Sequence, residues 1–188
     1  MFLPIGQEYM PQLITPRLLL RKLSMSDAQD LYEYSREEDV ARYVLWYPHR
    51  TVSDSRFYLK CLMRQYRNHE PASYGITLRD TGKVIGTIGF SYINEEHMCA
   101  EIGYSLAKSQ WGQGLMTEAL SAMIEHGFAD LRLHRIEATH DVRNPASGRV
   151  MEKCAMRYEG VMRGKLYSKG EYIDLALYSI TSEGYLNK

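Results

Sequence analysis

The stretch WGQGLMTEAL, residues 111 to 120, places Gly112 and Gly114 at the first turn of a predicted helix. Glycine weakens helices, so two of them at a helix start need a reason. The amides of a first helical turn have no partner inside the helix, and the helix dipole adds partial positive charge there. A turn without Cβ atoms also lets an anion come close to the backbone. The stretch therefore predicts either a phosphate-binding loop or a tight turn between a strand and a helix.

Two familiar phosphate-binding motifs do not fit this loop. Thr117 stands where a third glycine would complete the dinucleotide pattern G-x-G-x-x-G, and no Gly-Lys-Ser/Thr follows as in a P-loop. The two glycines alone therefore leave the ligand and the simple turn both open.

The segments on either side of the loop show a change of periodicity. SYGITL (73–78), VIGTIGFSYI (84–93) and CAEIGYSL (99–106) are separated by polar turns and predict three antiparallel strands. After the loop, apolar residues recur at helical spacing, for example at Leu115, Ala119 and Met123. The glycines thus lie between the third strand of a meander and a buried helix.

The first quarter of the chain predicts one strand and two helices. LLLRKL (18–23) has the composition of a strand, and SMSDAQDLYEYS (24–35) follows as a helix capped by Ser24 or Ser26. A second helix is capped by Thr51 or Ser53 and carries Phe57 and Cys61 at helical spacing.

The last third of the chain repeats the strand and helix alternation. HRIEATHD (134–141) predicts a strand, and Asn144 with Pro145 predicts the cap and first position of a helix. Two further strands flank the turn SKGE (168–171). No linker or repeat interrupts residues 1–188, so the pattern predicts a single α/β domain with a mixed sheet.

Composition excludes several classes of protein. The chain has 23 basic and 23 acidic residues, so no overall charge favours a nucleic acid or an anionic membrane surface. Cys61, Cys99 and Cys154 form no C-x-x-C pair, and no histidine has metal-ligand spacing, so we expect reduced cysteines and no metal. The start lacks a secretory signal, and no run approaches about 18 apolar residues. These features predict a cytoplasmic protein.

Five blocks of the chain, taken in order, match a known family. They are ITPRLLLRKL (14–23), VIGTIGF (84–90), AEIGYSL (100–106), WGQGLMTEAL (111–120) and RNPASGRVMEKCAMRYEGV (143–161). The chain resembles the GNAT N-acetyltransferases, and within them the branch of the ribosomal-protein N-terminal acetyltransferases RimJ and RimL. The resemblance implies the GNAT fold, an α/β fold with a mixed, mostly antiparallel central sheet of about seven strands flanked by about four helices. It implies one GNAT domain over residues 1–188, of which 1–13 form an N-terminal extension.

The resemblance also implies a site for acetyl-CoA. In the family, the pattern Gln/Arg-x-x-Gly-x-Gly/Ala wraps the pyrophosphate; here Trp111, Gly114 and Met116 take its three defined places, and Trp111 and Met116 depart from it. Met116 adds bulk where the family keeps a small residue. The pantetheine arm pairs with the end of the preceding strand. The implied cofactor-binding residues are Tyr104, Ser105, Leu106, Trp111, Gly112, Gln113, Gly114, Leu115, Met116, Thr117, Asn144 and Ser147.

Acetyl transfer from a thioester requires a neutral amine and a proton for the departing thiolate. Glu101 is the candidate general base; the alternative is a solvated glutamate on an alternating strand. Ser147 is implied as the acid and Asn144 as a pantetheine contact, while both also fit the ordinary start of a helix. Tyr158 is a rival acid. Cys154 is expected to be buried packing rather than a nucleophile.

The acceptor is the least determined part. The resemblance places an acceptor pocket at LWYPHR (45–50), where Trp46 and His49 are candidate acceptor-binding residues; alternatively, Trp46 is a packing anchor and His49 faces solvent. A protein N-terminus, a polyamine, an aminoglycoside and an amino acid all remain open as acceptors. So do another acyl group and a non-catalytic CoA-binding module. Relatives are often homodimers, which makes a homodimer possible.

Overall fold

The computed structural model describes residues 10–186, in which a single mixed sheet of eight strands forms the centre. The strands in chain order are β1 (Leu13–Ile14), β2 (Leu18–Arg21), β3 (Ser73–Leu78), β4 (Val84–Asn94), β5 (Cys99–Leu106), β6 (Arg135–Asp141), β7 (Arg157–Ser168) and β8 (Glu171–Thr181). The helices are α1 (Ala28–Ser35), α2 (Glu38–Ala41), α3 (Val52–Asn68), α4 (Leu115–Ala129), α5 (Pro145–Lys153) and α6 (Ser182–Leu186). The predicted α/β fold class is confirmed.

The element count exceeds the expected seven strands and four helices because three elements are very short. They are β1 with two residues, α2 with four and α6 with five. Runs this short show no periodicity in a sequence. Of the predicted N-terminal extension over residues 1–13, residues 1–9 lie outside the described part, and β1 begins at Leu13.

The strand order is β1-β2-β3-β4-β5-β6-β8-β7, and neighbouring strands are antiparallel except for β5 and β6. The parallel pair is held only at Cys99–Glu101 against Arg135–Glu137. Beyond Glu101, β5 stays paired with β4 up to Leu106, while β6 stays paired with β8 up to Asp141. The two strands therefore diverge and leave one backbone edge of β5 open over residues 103–106.

The starts of α3 and α5 follow the predicted caps, whereas α1 begins only at Ala28 with Asp27 as its cap, and Ser24 caps the 3-10 turn before it. Thr51 and Asp54 form a capping box at α3, and Pro145 occupies the first turn of α5. The buried face of α3 differs from the expected one: Leu59 and Leu62 are buried, whereas Phe57 is 70% exposed. The predicted helix is present, but the face that packs on the core carries Leu59 and Leu62.

Helix α4 packs on the sheet with its apolar side. A Cβ on Gly127 would lie 2.7 Å from Ile136 Cδ1 and 3.1 Å from Phe90 Cζ, so α4 lies directly on the face that these two side chains form. Ile102 pairs with Phe90 and shares this face, while Glu101 points to the opposite one. Over residues 10–186, no helix combines the length and apolar character needed to span a bilayer.

Candidate functional site

A cavity of about 380 Å³ opens where β5 and β6 diverge. Its size falls in the range of small-molecule sites. Of the predicted cofactor-binding residues, all but Gln113 line it, together with part of α2 and the outer face of α5. The lining residues are Asp39, Val40, Arg42, Tyr43, Val44, Tyr104, Ser105, Leu106, Gln110, Trp111, Gly112, Gly114, Leu115, Met116, Thr117, Asn144, Ala146, Ser147, Arg149, Val150 and Lys153.

The glycine loop, defined as residues 111–117, has a backbone that only glycine adopts without strain at two positions. Gly112 and Gly114 have φ of 75° and 76°, in the left-handed region. A Cβ on Gly112 would meet nothing within 4 Å, and one on Gly114 only Arg17 Nη2 at 3.7 Å. The glycines are therefore required by backbone conformation, and the space beside them is open to a ligand.

The amides of the first turn of α4 precede the helical hydrogen-bond ladder. Its first bond is donated by Glu118 N to Gly114 O at 3.0 Å. The N–H groups of Leu115, Met116 and Thr117 lie ahead of that bond, at the positive end of a 15-residue helix. Because these residues line the cavity, the loop has the backbone chemistry of an anion site.

Neither departure from the family pattern fills the loop. Met116 is only 7% exposed and packs into the hydrophobic core. Trp111 donates from Nε1 to Leu106 O at 2.8 Å, which ties the loop to the end of β5, while its side chain stays 47% exposed. Gln113 does not line the cavity; its Nε2 donates to Ser109 O at 3.1 Å.

At the start of α5, the side chain of Asn144 makes no capping hydrogen bond, so the simple capping interpretation of that side chain is wrong. Ser147 is close to Tyr104: the two hydroxyl oxygens are 3.0 Å apart, and Tyr104 OH also donates to Ser147 O at 3.1 Å. Burial raises the pKa of Tyr104, so its hydroxyl stays protonated. With the tyrosine proton on the carbonyl, Ser147 Oγ is the donor in the contact between the two hydroxyls.

Glu101 does not line this cavity. It alternates with Ile102 along β5 and points to the sheet face opposite α4. Its Oε1 accepts a hydrogen bond from Thr139 Oγ1 at 2.9 Å, and the side chain is half-buried, so it is not the freely solvated glutamate of the alternative interpretation. The two candidate catalytic residues thus lie on different sides of β5, whose edge between them is open.

Trp46 and His49 do not line the cavity either. His49 N donates to Ser35 O at 3.0 Å, and its Nδ1 lies 2.8 Å from the buried Ser55 Oγ. The His49 ring is half-buried rather than solvent-facing, and this burial lowers its pKa. Trp46 packs partly buried against the core, 5.7 Å from the His49 ring, as a packing anchor would.

The segment that does reach the cavity was not predicted. It is α2 with the three residues after it, where Asp39 Oδ2 accepts from Lys108 Nζ and Oδ1 from Arg42 Nη2, both at 2.7 Å. On the far side, Lys169 of the β7–β8 turn donates to Ala41 O and lies 5.6 Å from the Tyr47 ring centre. These contacts join the β7–β8 turn and α2 to the segment that precedes the glycine loop.

Two other candidates lie away from the cavity. Tyr158 is 56% exposed and its ring lies 5.4 Å from that of Tyr178, against a separate hollow, so it is not placed to act as the acid. Cys154 is buried and contacts Thr117 O and Ser121 Oγ, as expected for packing. All three cysteines are free thiols. Among the described side chains, no group of His, Cys, Asp and Glu is placed to hold a metal ion.

A family model described as an acetyltransferase (GNAT) domain matches residues 17–157. The uncharacterised N-acetyltransferase p20 of Bacillus licheniformis is 34% identical over 176 residues, which cover 94% of this chain and 99% of that protein. The [ribosomal protein uS5]-alanine N-acetyltransferase of Escherichia coli is 29% identical over 180 residues, with 91% of each chain covered. The structure of Mycobacterium smegmatis RimJ in complex with CoA-disulfide superposes with a TM-score of 0.81 at 26% identity, covering 92% of this chain and 87% of that one.

Proposed function

Since the chain belongs to the GNAT acetyltransferase family, we propose that it moves an acetyl group from acetyl-CoA directly to the primary amine at the N-terminus of a protein. The observation that carries this proposal is the glycine loop. Its two left-handed glycines, and the amides that precede the first helical hydrogen bond of α4, lie beside the open edge of β5. We take residues 1–188 as one domain of this kind.

The residues present suit acetyl-CoA, which supplies the activated acetyl thioester when bound. The amides of residues 115–117 would hold the diphosphate, because they carry partial positive charge and have open space beside them. The edge of β5 at Tyr104–Leu106 has no pairing with β6 and would face the amides of the pantetheine arm, although Leu106 O already accepts from Trp111 Nε1. Asn144, whose side chain is not used as a cap, would contact the same arm.

Proton handling is assigned to residues on either side of β5. Glu101 Oε atoms would accept the proton of the acceptor ammonium, directly or through a water, because an α-amine with a pKa near 8 is mostly charged at pH 7. Ser147 Oγ would hold the proton that the departing sulfur takes. Tyr104 orients Ser147 through the 3.0 Å contact between their hydroxyls.

A protein N-terminus is favoured as acceptor by the relatives. The E. coli relative is named a [ribosomal protein uS5]-alanine N-acetyltransferase, and it matches nearly the whole chain. The cavity also extends between α2 and α5, so an extended chain end has a way in.

The first test is binding followed by turnover. At a CoA concentration 100 times the Kd, the midpoint of thermal unfolding should rise by about 5 to 10 °C for a chain of this size. Thiol release with acetyl-CoA is then measured on peptides that begin with alanine or serine and on matched peptides with blocked N-termini. No shift with CoA would contradict the cofactor assignment; equal release with blocked peptides would contradict the acceptor assignment.

Replacing Ser147 with alanine should lower kcat about tenfold, with a CoA Kd changed less than about twofold. The effect is modest because a thiol with a pKa near 8.5 departs without complete protonation. Thiol release and calorimetry measure the two values. Ser121→Ala, on the α4 face that contacts Cys154, is the matched control and should keep both. An unchanged kcat in Ser147→Ala would remove the acid role.

A further inference from the structure

Arg17, in the turn between β1 and β2, makes three hydrogen bonds to the start of α4. Its Nη1 donates to Gln113 O at 3.0 Å, its Nε to Glu118 Oε2 at 2.7 Å, and its backbone N to Glu118 Oε1 at 2.9 Å. Its Nη2 lies 3.7 Å from the position of a Cβ on Gly114. The Arg17 side chain, 96 positions from Gln113 in sequence, therefore contacts both the glycine loop and Glu118, the residue that follows it.

The bond to Gln113 O has a consequence for the next amide. A trans peptide is planar, so its C=O and the following N–H point in opposite directions. With Gln113 O directed toward Arg17, the N–H of Gly114 is directed away from it. The orientation of this peptide plane, between two left-handed glycines with little intrinsic preference, is thus set from outside the loop.

Glu118 is the second residue at the start of α4 that Arg17 contacts. Thr15 Oγ1 also donates to Glu118 Oε1, at 2.6 Å. Burial opposes ionisation of this carboxyl, but the hydrogen bonds from Thr15 and Arg17 outweigh it and keep the pKa of Glu118 below its usual value. The guanidinium of Arg17 offsets this negative charge, which would otherwise lie one turn from a bound phosphate.

We propose that Arg17 is a positioning residue for diphosphate binding: it fixes the glycine loop with its amides available and neutralises Glu118. The proposal rests on the proposed function, since it concerns the loop that would hold acetyl-CoA. It adds to that function a residue from the N-terminal turn, far from the loop in sequence.

The test compares Arg17 with Arg79, which follows β3 and donates a hydrogen bond to the turn between β1 and β2. Arg79 Nη1 donates to Thr15 O at 2.8 Å and its backbone N to Arg17 O at 3.0 Å, so these hydrogen bonds support the turn rather than the glycine loop. We expect Arg17→Met to raise the CoA Kd at least about tenfold, and Arg79→Met to leave it within about twofold. Calorimetry with CoA measures both.

A second readout separates positioning from general stability. Arg17→Lys keeps the positive charge but loses the planar guanidinium, so the Kd of this variant for CoA should also rise. If Arg17→Met does not fold, Arg17→Lys serves as the test variant. With S-acetylpantetheine, which has no diphosphate, the turnover of the Arg17 variants should equal that of the unmodified protein. Equal CoA affinity in the Arg17 variants and the unmodified protein would overturn the inference alone. Failure of the unmodified protein to bind CoA would overturn the proposed function as well.

Discussion

Replacing Gly114 with valine should weaken CoA binding at least about 30-fold while the protein still folds. Valine at a φ of 76° is strained by roughly 1–3 kcal/mol, and the loop relieves that strain by rotating the peptide planes on either side of the residue. The amides proposed to hold the diphosphate would then point elsewhere. Calorimetry with CoA measures the loss, and the thermal midpoint reports the cost in stability.

The chain offers a close control for this prediction. Gly82, in the turn between β3 and β4, has a φ of 73° and open space around a Cβ, and it does not line the cavity. Gly82→Val imposes a similar strain, so it should lower the midpoint of unfolding to a similar extent and keep CoA affinity. If both variants lose affinity equally, the loop has no special role in binding.

Replacing Glu101 with glutamine should lower kcat about 100-fold near pH 7, the range expected for loss of a general base. The deficit should shrink as the pH rises above about 8, because an α-amine then loses its proton without assistance. CoA affinity should be unchanged, since Glu101 lies on the sheet face opposite α4 and outside the cavity lining. The measurement is a pH profile of thiol release on an N-terminal peptide.

Glu137 provides the comparison for Glu101. It occupies the position opposite Glu101 on β6, in the same register, and bonds to Arg135 at 2.7 Å. Glu137→Gln removes the same charge from the same region and should keep the pH profile of the unmodified protein. A parallel loss in both variants would point to the charge of the sheet face rather than to a base at Glu101.

Much of the cavity lining could be predicted, because the sequence patterns that mark its residues are local. A strand end, two glycines and a capped helix follow one another in the chain, and each element has a period or a turn residue that marks it. The structure brings Tyr104, Gly114, Asn144 and Ser147 to one cavity. The opening between β5 and β6 could be expected only through the family, because pairing between strands is set by contacts far apart in sequence.

The contacts of the predicted acceptor-binding residues could not be predicted in the same way. His49 is held by Ser35 and Ser55, and no local pattern reveals those partners. Helix α2 has only four residues, too few for a period, although it lines the cavity. No local pattern marks Arg17 either, because its partners Gln113 and Glu118 lie about a hundred positions away.

The contact of Lys169 with Ala41 and Tyr47 bears on how such a fold diversifies. It joins two surface loops, whereas the glycine loop is held to the end of β5 by Trp111 and to the β1–β2 turn by Arg17. Loops tolerate insertions and substitutions better than the elements they connect. Changes in the loop pair could therefore alter the choice of acceptor while the binding of acetyl-CoA is inherited intact, so descendants of one ancestor can share a donor and differ in what they modify.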